Sequence, residues 1–129
     1  MERYEREHSD TGSIRIANEV VGIIAGIAAS EIKGVAGMSG GVVDGIAELL
    51  KKKNMSKGVK VEVGEKEAAV DLYVIIEYGT KVPDVAYAIQ ENVKKAIESM
   101  TGLRVVEVNV HIQGVDFKPE EPEEQPRVK

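Results

Sequence analysis

Apolar residues recur along this chain with two different periods, and each period predicts a different kind of element. In "RIANEVVGIIAGIAASEIKG", Ile16, Val20, Ile23, Ile24, Ile27 and Ile32 fall near three-to-four spacing, which is the spacing of one helix face. Between Ile16 and Lys33 the only charges are Glu19 and Glu31, so this helix is expected to be buried on more than one side. Gly34 stands where a C-terminal glycine cap belongs. Gly22, Gly26 and Ala29 form a stripe of small residues that lets another backbone come close, either within the chain or in a second copy. Further on, "VDGIAELLKKK" predicts a short helix with Ile46, Leu49 and Leu50 on one side, Asp44 in its first turn and Lys51 to Lys53 at its end.

The second period begins at Val59. Val59, Val61 and Val63 alternate with Lys60 and Glu62, and Val70, Leu72, Val74 and Ile76 alternate with Asp71, Tyr73, Ile75 and Glu77. Two such runs around Gly64 predict a β-hairpin with one apolar and one mixed face. Pro83 then opens an amphipathic helix through Val82, Val85, Ala86, Ile89, Val93, Ala96, Ile97 and Met100, stopped by Gly102. The last strand, "LRVVEVNVHIQG", is expected to bury Val106, Val108, Val110 and Ile112 and to turn Glu107, Asn109, His111 and Gln113 outward. Leu103 and Val105 have the wrong parity for that face, which predicts a bulge nearby. The second hairpin strand, the Pro83 helix and the last strand form a β–α–β crossover with parallel strands, right-handed by rule. The predicted fold is α+β: a two-layer domain with a mixed sheet packed by helices mainly on one face, in the order α-β-α-β-β-α-β. Residues 1–13 and the acidic, Pro-rich residues 118–129 are expected to be flexible tails around one domain, 14–117.

Composition narrows the chemistry. There is no cysteine, hence no disulfide, thiolate nucleophile or cysteine-ligated metal site. A net charge of −5 opposes wrapping a polyanion, so no nucleic-acid partner is expected. The uncharged run from Val20 to Ala29 is far shorter than the roughly 20 residues a spanning helix needs, so no direct membrane span is expected.

The glycine-rich "GVAGMSGGVVDGIAELL" fails both phosphate patterns it invites. From Gly40 the second glycine is Gly45, but Ile46 and Ala47 stand where Lys and Ser/Thr are required, and no register gives the dinucleotide pattern. Gly40 and Gly41 are left as a weak anion site on backbone amides, opposed by Asp44 in the same turn. "GVAG" and "GMSG" match a G-x-x-G clamp for RNA but lack its basic residue. The histidines are His8, in a tail, and His111, on an outward strand face with Asp116 as the conceivable partner for a metal or base pair. No serine has a histidine at a recognisable spacing, and no catalytic residue, metal site or cofactor is assigned.

Several blocks in fixed order resemble the alkaline shock protein family of Gram-positive bacteria, the envelope stress response proteins. They are "IANEVVGIIAGIAASEIKGVAGM", "DGIAELL", "SKGVKVEVGEKEAAVDLYVIIEYG", "VPDVAYAIQENVKKAIESMTG" and "VVEVNVHIQGVDF", which together cover nearly all of 14–117. The resemblance implies a small cytoplasmic protein associated with the cell envelope and stress tolerance. It further implies a homo-oligomer, or a protein held peripherally at the membrane by an anchored partner, with no catalytic activity to carry over. The surfaces expected to make such contacts are Tyr73 and Ile75 with His111 nearby, apolar bodies in a charged face, and the Gly22 and Gly26 stripe. The competing expectation is a binding or regulatory module for a phosphorylated metabolite, built on the glycine-rich residues 34–45.

Overall fold

The structure is a computed structural model and describes residues 11–39 and 57–117. Its elements are α1 (Asn18–Ser30), β1 (Val35–Met38), β2 (Val59–Val63), β3 (Glu67–Glu77), α2 (Val82–Thr101) and β4 (Arg104–Asp116). The predicted short helix and the residues Gly40 and Gly41 lie outside the described residues.

Alternation makes β3 the centre of the molecule. Ala68, Val70, Leu72, Val74 and Ile76 point into a core shared with Val21, Ile24, Ala25 and Ala28 of α1 and with Val85, Ile89, Val93 and Ile97 of α2. Both helices therefore cover the same face of the sheet, as the two-layer reading requires. Among the described residues no polar or charged side chain is buried. The helices are tied together at their edge by Asn92, whose Nδ2 donates to the Ala28 carbonyl at 2.8 Å and to Glu31 Oε1 at 3.3 Å.

The sheet is mixed. β4 runs parallel to β3 along its whole length, joined through α2 as the crossover predicts. β1 and β2 both pair antiparallel with β3, β1 with Val74 to Ile76 and β2 with Ala68 to Leu72, so they lie end to end along its other edge. The changeover falls on Tyr73. Its carbonyl accepts from Ser39 N–H, just past β1, and its own N–H donates to the Gly58 carbonyl, just before β2, each at 2.8 Å. A Cβ on Gly58, whose φ is +80°, would stand 2.7 Å from the Ser39 oxygen, so only glycine lets the two strand ends meet there.

Three expectations need correction. Gly34 does not cap α1, which ends at Glu31 in right-handed helical conformation. Gly34 instead turns the chain into β1 at φ +105°, and its carbonyl accepts from Glu77 N–H at 2.8 Å. α1 is less enclosed than its composition suggested: Val20 and Ile27 are exposed, while Gly22 and Gly26 are buried. In β4, Val106 is not buried but 47% exposed, and Leu103 and Val105 are buried. The reason is the bulge that their parity announced. Ala68 pairs with Val105 and Ala69 with Glu107, which leaves Val106 as the extra residue. A second bulge falls at Gln113, between the pairs Val74 with Ile112 and Ile75 with Gly114.

α2 follows its sequence closely. Pro83 lies in its first turn, where a missing N–H costs nothing. Gly102 closes it in left-handed conformation with its N–H bonded to the Glu98 carbonyl at 3.0 Å.

Candidate functional site

The sheet face turned away from the helices carries the residues singled out as a contact surface. Register, not sequence spacing, assembles them. Tyr73 lies beside His111 across the parallel pair, and Asp71 lies beside Lys60 across the antiparallel pair. The Tyr73 and His111 rings stack with centroids 4.5 Å apart and planes 10° from parallel. His111 Nε2 lies 3.2 Å from Asp71 Oδ1, a hydrogen bond that the ring makes when Nε2 carries its proton. Lys60 Nζ sits 5.6 Å from the centre of the Tyr73 ring, within reach of a cation–π attraction. A carboxylate, an imidazole, a phenol ring and an ammonium thus form one connected group, all of it only half-buried or exposed.

Ile75 stands next to this group between two glycines, Gly37 on β1 and Gly114 on β4. With no side chain on either neighbour it projects alone, and its Cγ1 passes 3.7 Å from the position of a Gly114 Cβ. The register also places Glu62, Glu67, Glu77, Arg104, Glu107 and Asp116 on this face, so acids outnumber bases around an apolar and aromatic centre.

This arrangement corrects the pairing expected for His111. Asp116 lies opposite Glu77 at the far end of the strand, whereas Asp71 is one side-chain layer away on the neighbouring strand. Tyr73, Ile75 and His111 are brought together; Gly22 and Gly26 lie apart from them on α1, where both are buried. Sequence reasoning put His111 near Tyr73 and Ile75 but did not count Asp71 and Lys60 as members of the group. Asp71 and Tyr73 share parity in one strand, which was visible, but the offsets between strands that set Asp71 against His111 and bring in Lys60 were not.

The chemistry open to the group is limited by what surrounds it. The imidazole has a carboxylate to orient it, but among the described residues no serine or threonine hydroxyl is bonded to it. Ser30 Oγ donates to the Gly26 carbonyl of its own helix at 2.8 Å, and Thr80 and Thr101 likewise bond backbone carbonyls. Among the described residues no three of His, Asp and Glu cluster as metal ligands. Among the described residues, Glu98 lies away from this group and is held below the usual carboxylate range by the Val105 N–H it accepts at 2.9 Å, and then by Lys94 at 3.1 Å. No helix among the described residues is long and apolar enough to cross a membrane.

Comparison with known proteins finds relatives across most of the chain. YqhY of Bacillus subtilis, an uncharacterized protein, is 42% identical over 113 residues, 86% of this chain and 84% of its own length. A stress response regulator gls24 homolog of Streptococcus pyogenes is 35% identical over 111 residues, 85% of this chain and 61% of its own. Among solved structures, the copper form of the MamM CTD D249H variant aligns over 78% of this chain and all of its own, with 15% identity and a TM-score of 0.49. At that identity the likeness bears on neither ligand nor activity. Residues 6–117 match the model of the alkaline shock protein family, described by a cell envelope-related function, and with relatives of this identity and coverage the chain belongs to that family.

Proposed function

We propose that this protein is a non-enzymatic interaction or scaffold protein of the cell-envelope stress response, acting at the cytoplasmic side of the membrane through a second copy or a membrane-associated partner. The observation that carries the reading is the outer sheet face. Both helices pack on the other side of the sheet, and at its centre Ile75 projects between two glycines beside the stacked Tyr73 and His111. An apolar and aromatic centre inside a charged rim is the anatomy of a protein interface, where the centre excludes water and the rim selects the partner. The acidic rim favours a partner of basic character. Family membership and the relative named as a stress response regulator support the cellular setting.

The test is Ile75→Arg, which places a charge at the centre of the face without touching the core. It is expected to lower recovery of the protein in the membrane fraction and to reduce its sedimenting size, with unchanged circular dichroism. Wild-type behaviour in both measurements would rule out this face as the docking surface.

A further inference from the structure

The group at the centre of the outer face contains one side chain of the kind that ordinarily changes charge between about pH 5 and 8, the imidazole of His111. Its Nε2 lies 3.2 Å from Asp71 Oδ1, so in the neutral ring Nε2 carries the proton and Nδ1 keeps its lone pair. No other hydrogen bond reaches the ring among the described residues, which leaves Nδ1 open to the next proton. While the ring is neutral, the carboxylate of Asp71 and the ammonium of Lys60 cancel. A proton on Nδ1 turns the group into a net cation.

We infer that protonation of His111 at Nδ1 releases a basic partner from the outer face, so that docking is strongest while the imidazole is neutral. The inference rests on the function proposed above and names the regulation of that same surface. Two effects act in the same direction. The rim sets Glu62, Glu67, Glu77, Glu107 and Asp116 against Arg104, which favours a partner of basic character, and a new cation at the centre repels such a partner. Docking also removes water from side chains that are 41% exposed at His111 and 39% exposed at Asp71, and covering a charged ring costs more than covering a neutral one. Asp71 offsets part of the ring's charge, but it does so in the free protein as well, so it does not reverse the difference between the free and docked states.

Few other charges act on the ring. From β3 it is faced by Asp71 and Tyr73, and from β2 Lys60 Nζ lies 5.6 Å from the Tyr73 ring that stacks on His111. A charged imidazole therefore sets a second cation against the same phenol ring. The residues of β1, Val35–Met38, carry no titratable side chain, and both helices pack on the opposite side of the sheet. On β4 itself the neighbours Asn109 and Gln113 are neutral. Glu62 and Glu107 lie two side-chain layers to one side of His111, and Glu77 and Asp116 two layers to the other. Two layers of a strand span about 13 Å, beyond the screening length of about 8 Å at physiological salt. The rim thus meets the partner without setting the charge of the ring.

The test is co-sedimentation of the purified full chain with membrane vesicles from cells that lack this protein, between about pH 6 and pH 8. His111→Gln keeps a neutral amide that can donate to Asp71, His111→Arg is charged throughout, and circular dichroism checks the fold of each. The unchanged protein is expected to lose affinity for the vesicles as pH falls, by up to about tenfold per pH unit below the titration midpoint of His111. That midpoint is read from the imidazole NMR signal in a His8→Ala background, which leaves one histidine in the chain. His111→Gln is expected to bind equally at both ends of the range, and His111→Arg to bind weakly at both. If the unchanged protein and His111→Gln share one pH profile, or if affinity rises on acidification, the inference is overturned. Should Ile75→Arg abolish binding in that case, the outer-face reading stands and only the inference falls. If Ile75→Arg binds as the unchanged protein does, or if the unchanged protein binds at no pH, the outer-face reading falls and the inference falls with it.

Discussion

Gly34 shows how much a single position decides in this protein. At φ +105° its backbone is one that residues with a side chain rarely adopt, and a Cβ there would lie 2.8 Å from Val85 Cγ2. Gly34→Ala is expected to destabilise the protein by about 1–3 kcal/mol in urea unfolding, from backbone strain and the contact with α2 together. Glu98 is the second case. Its folded carboxyl has a lowered pKa, caused first by the Val105 N–H and then by Lys94. The stability it contributes is therefore full above the ordinary glutamate value of about 4.3 and is lost as pH falls through the lower folded value. Glu98→Gln should flatten that part of the stability profile: urea midpoints at pH 6 and pH 3 should lie closer together than in the unchanged protein. His111 could be seen in the sequence as an outward residue, but its true partner could not. Partnership across a parallel pair depends on the offset set by the crossover, which leaves no mark in the strand's own pattern.

At the scale of elements, strong periodicity was legible and short irregular pairing was not. α2 could be read from end to end because its buried stripe, Val85, Ile89, Val93 and Ile97, repeats at every turn and its ends carry Pro83 and Gly102. Ile89→Ala should accordingly cost about 2–5 kcal/mol, since Ile89 is fully enclosed. Met100→Ala, on the same periodic series but exposed at the last turn, should stay within about 0.5 kcal/mol in the same assay. The hairpin was equally plain from its alternation, with Gly64 N–H bonding the Glu67 carbonyl at 2.8 Å in its turn. β1 left no period of its own to read, because a strand of Val35–Met38 interrupted by a register shift is too short to establish one. β4 gave a mixed result. The misplaced parity of Leu103 and Val105 announced a bulge, yet only the register showed that the bulge expels Val106 and spares the two buried residues before it.

For the whole molecule, net charge and an apolar contact surface oppose each other. Two copies at −5 each repel over their full surfaces, while Tyr73 and Ile75 at the centre of the outer face are neutral. Salt near 0.15 M shortens the range of that repulsion to about 8 Å, whereas exposed ion pairs at the rim contribute little at any salt. Dimerisation measured by sedimentation equilibrium should therefore strengthen, not weaken, as sodium chloride rises from about 10 mM to about 150 mM and the screening length shrinks. The opposite trend would mean that the ion pairs dominate the contact.

The meeting of β1 and β2 on Tyr73 has an engineering consequence. Because Ser39 and Gly58 are held by the two backbone groups of one residue, whatever chain joins them starts and finishes at nearly the same point in space. Closure cost grows only with the logarithm of length, so a Gly/Ser bridge between Ser39 and Gly58 at a third of the length of another changes that cost by only about 1 kcal/mol and is expected to leave β1 and β2 in register, as amide exchange across Tyr73 can verify.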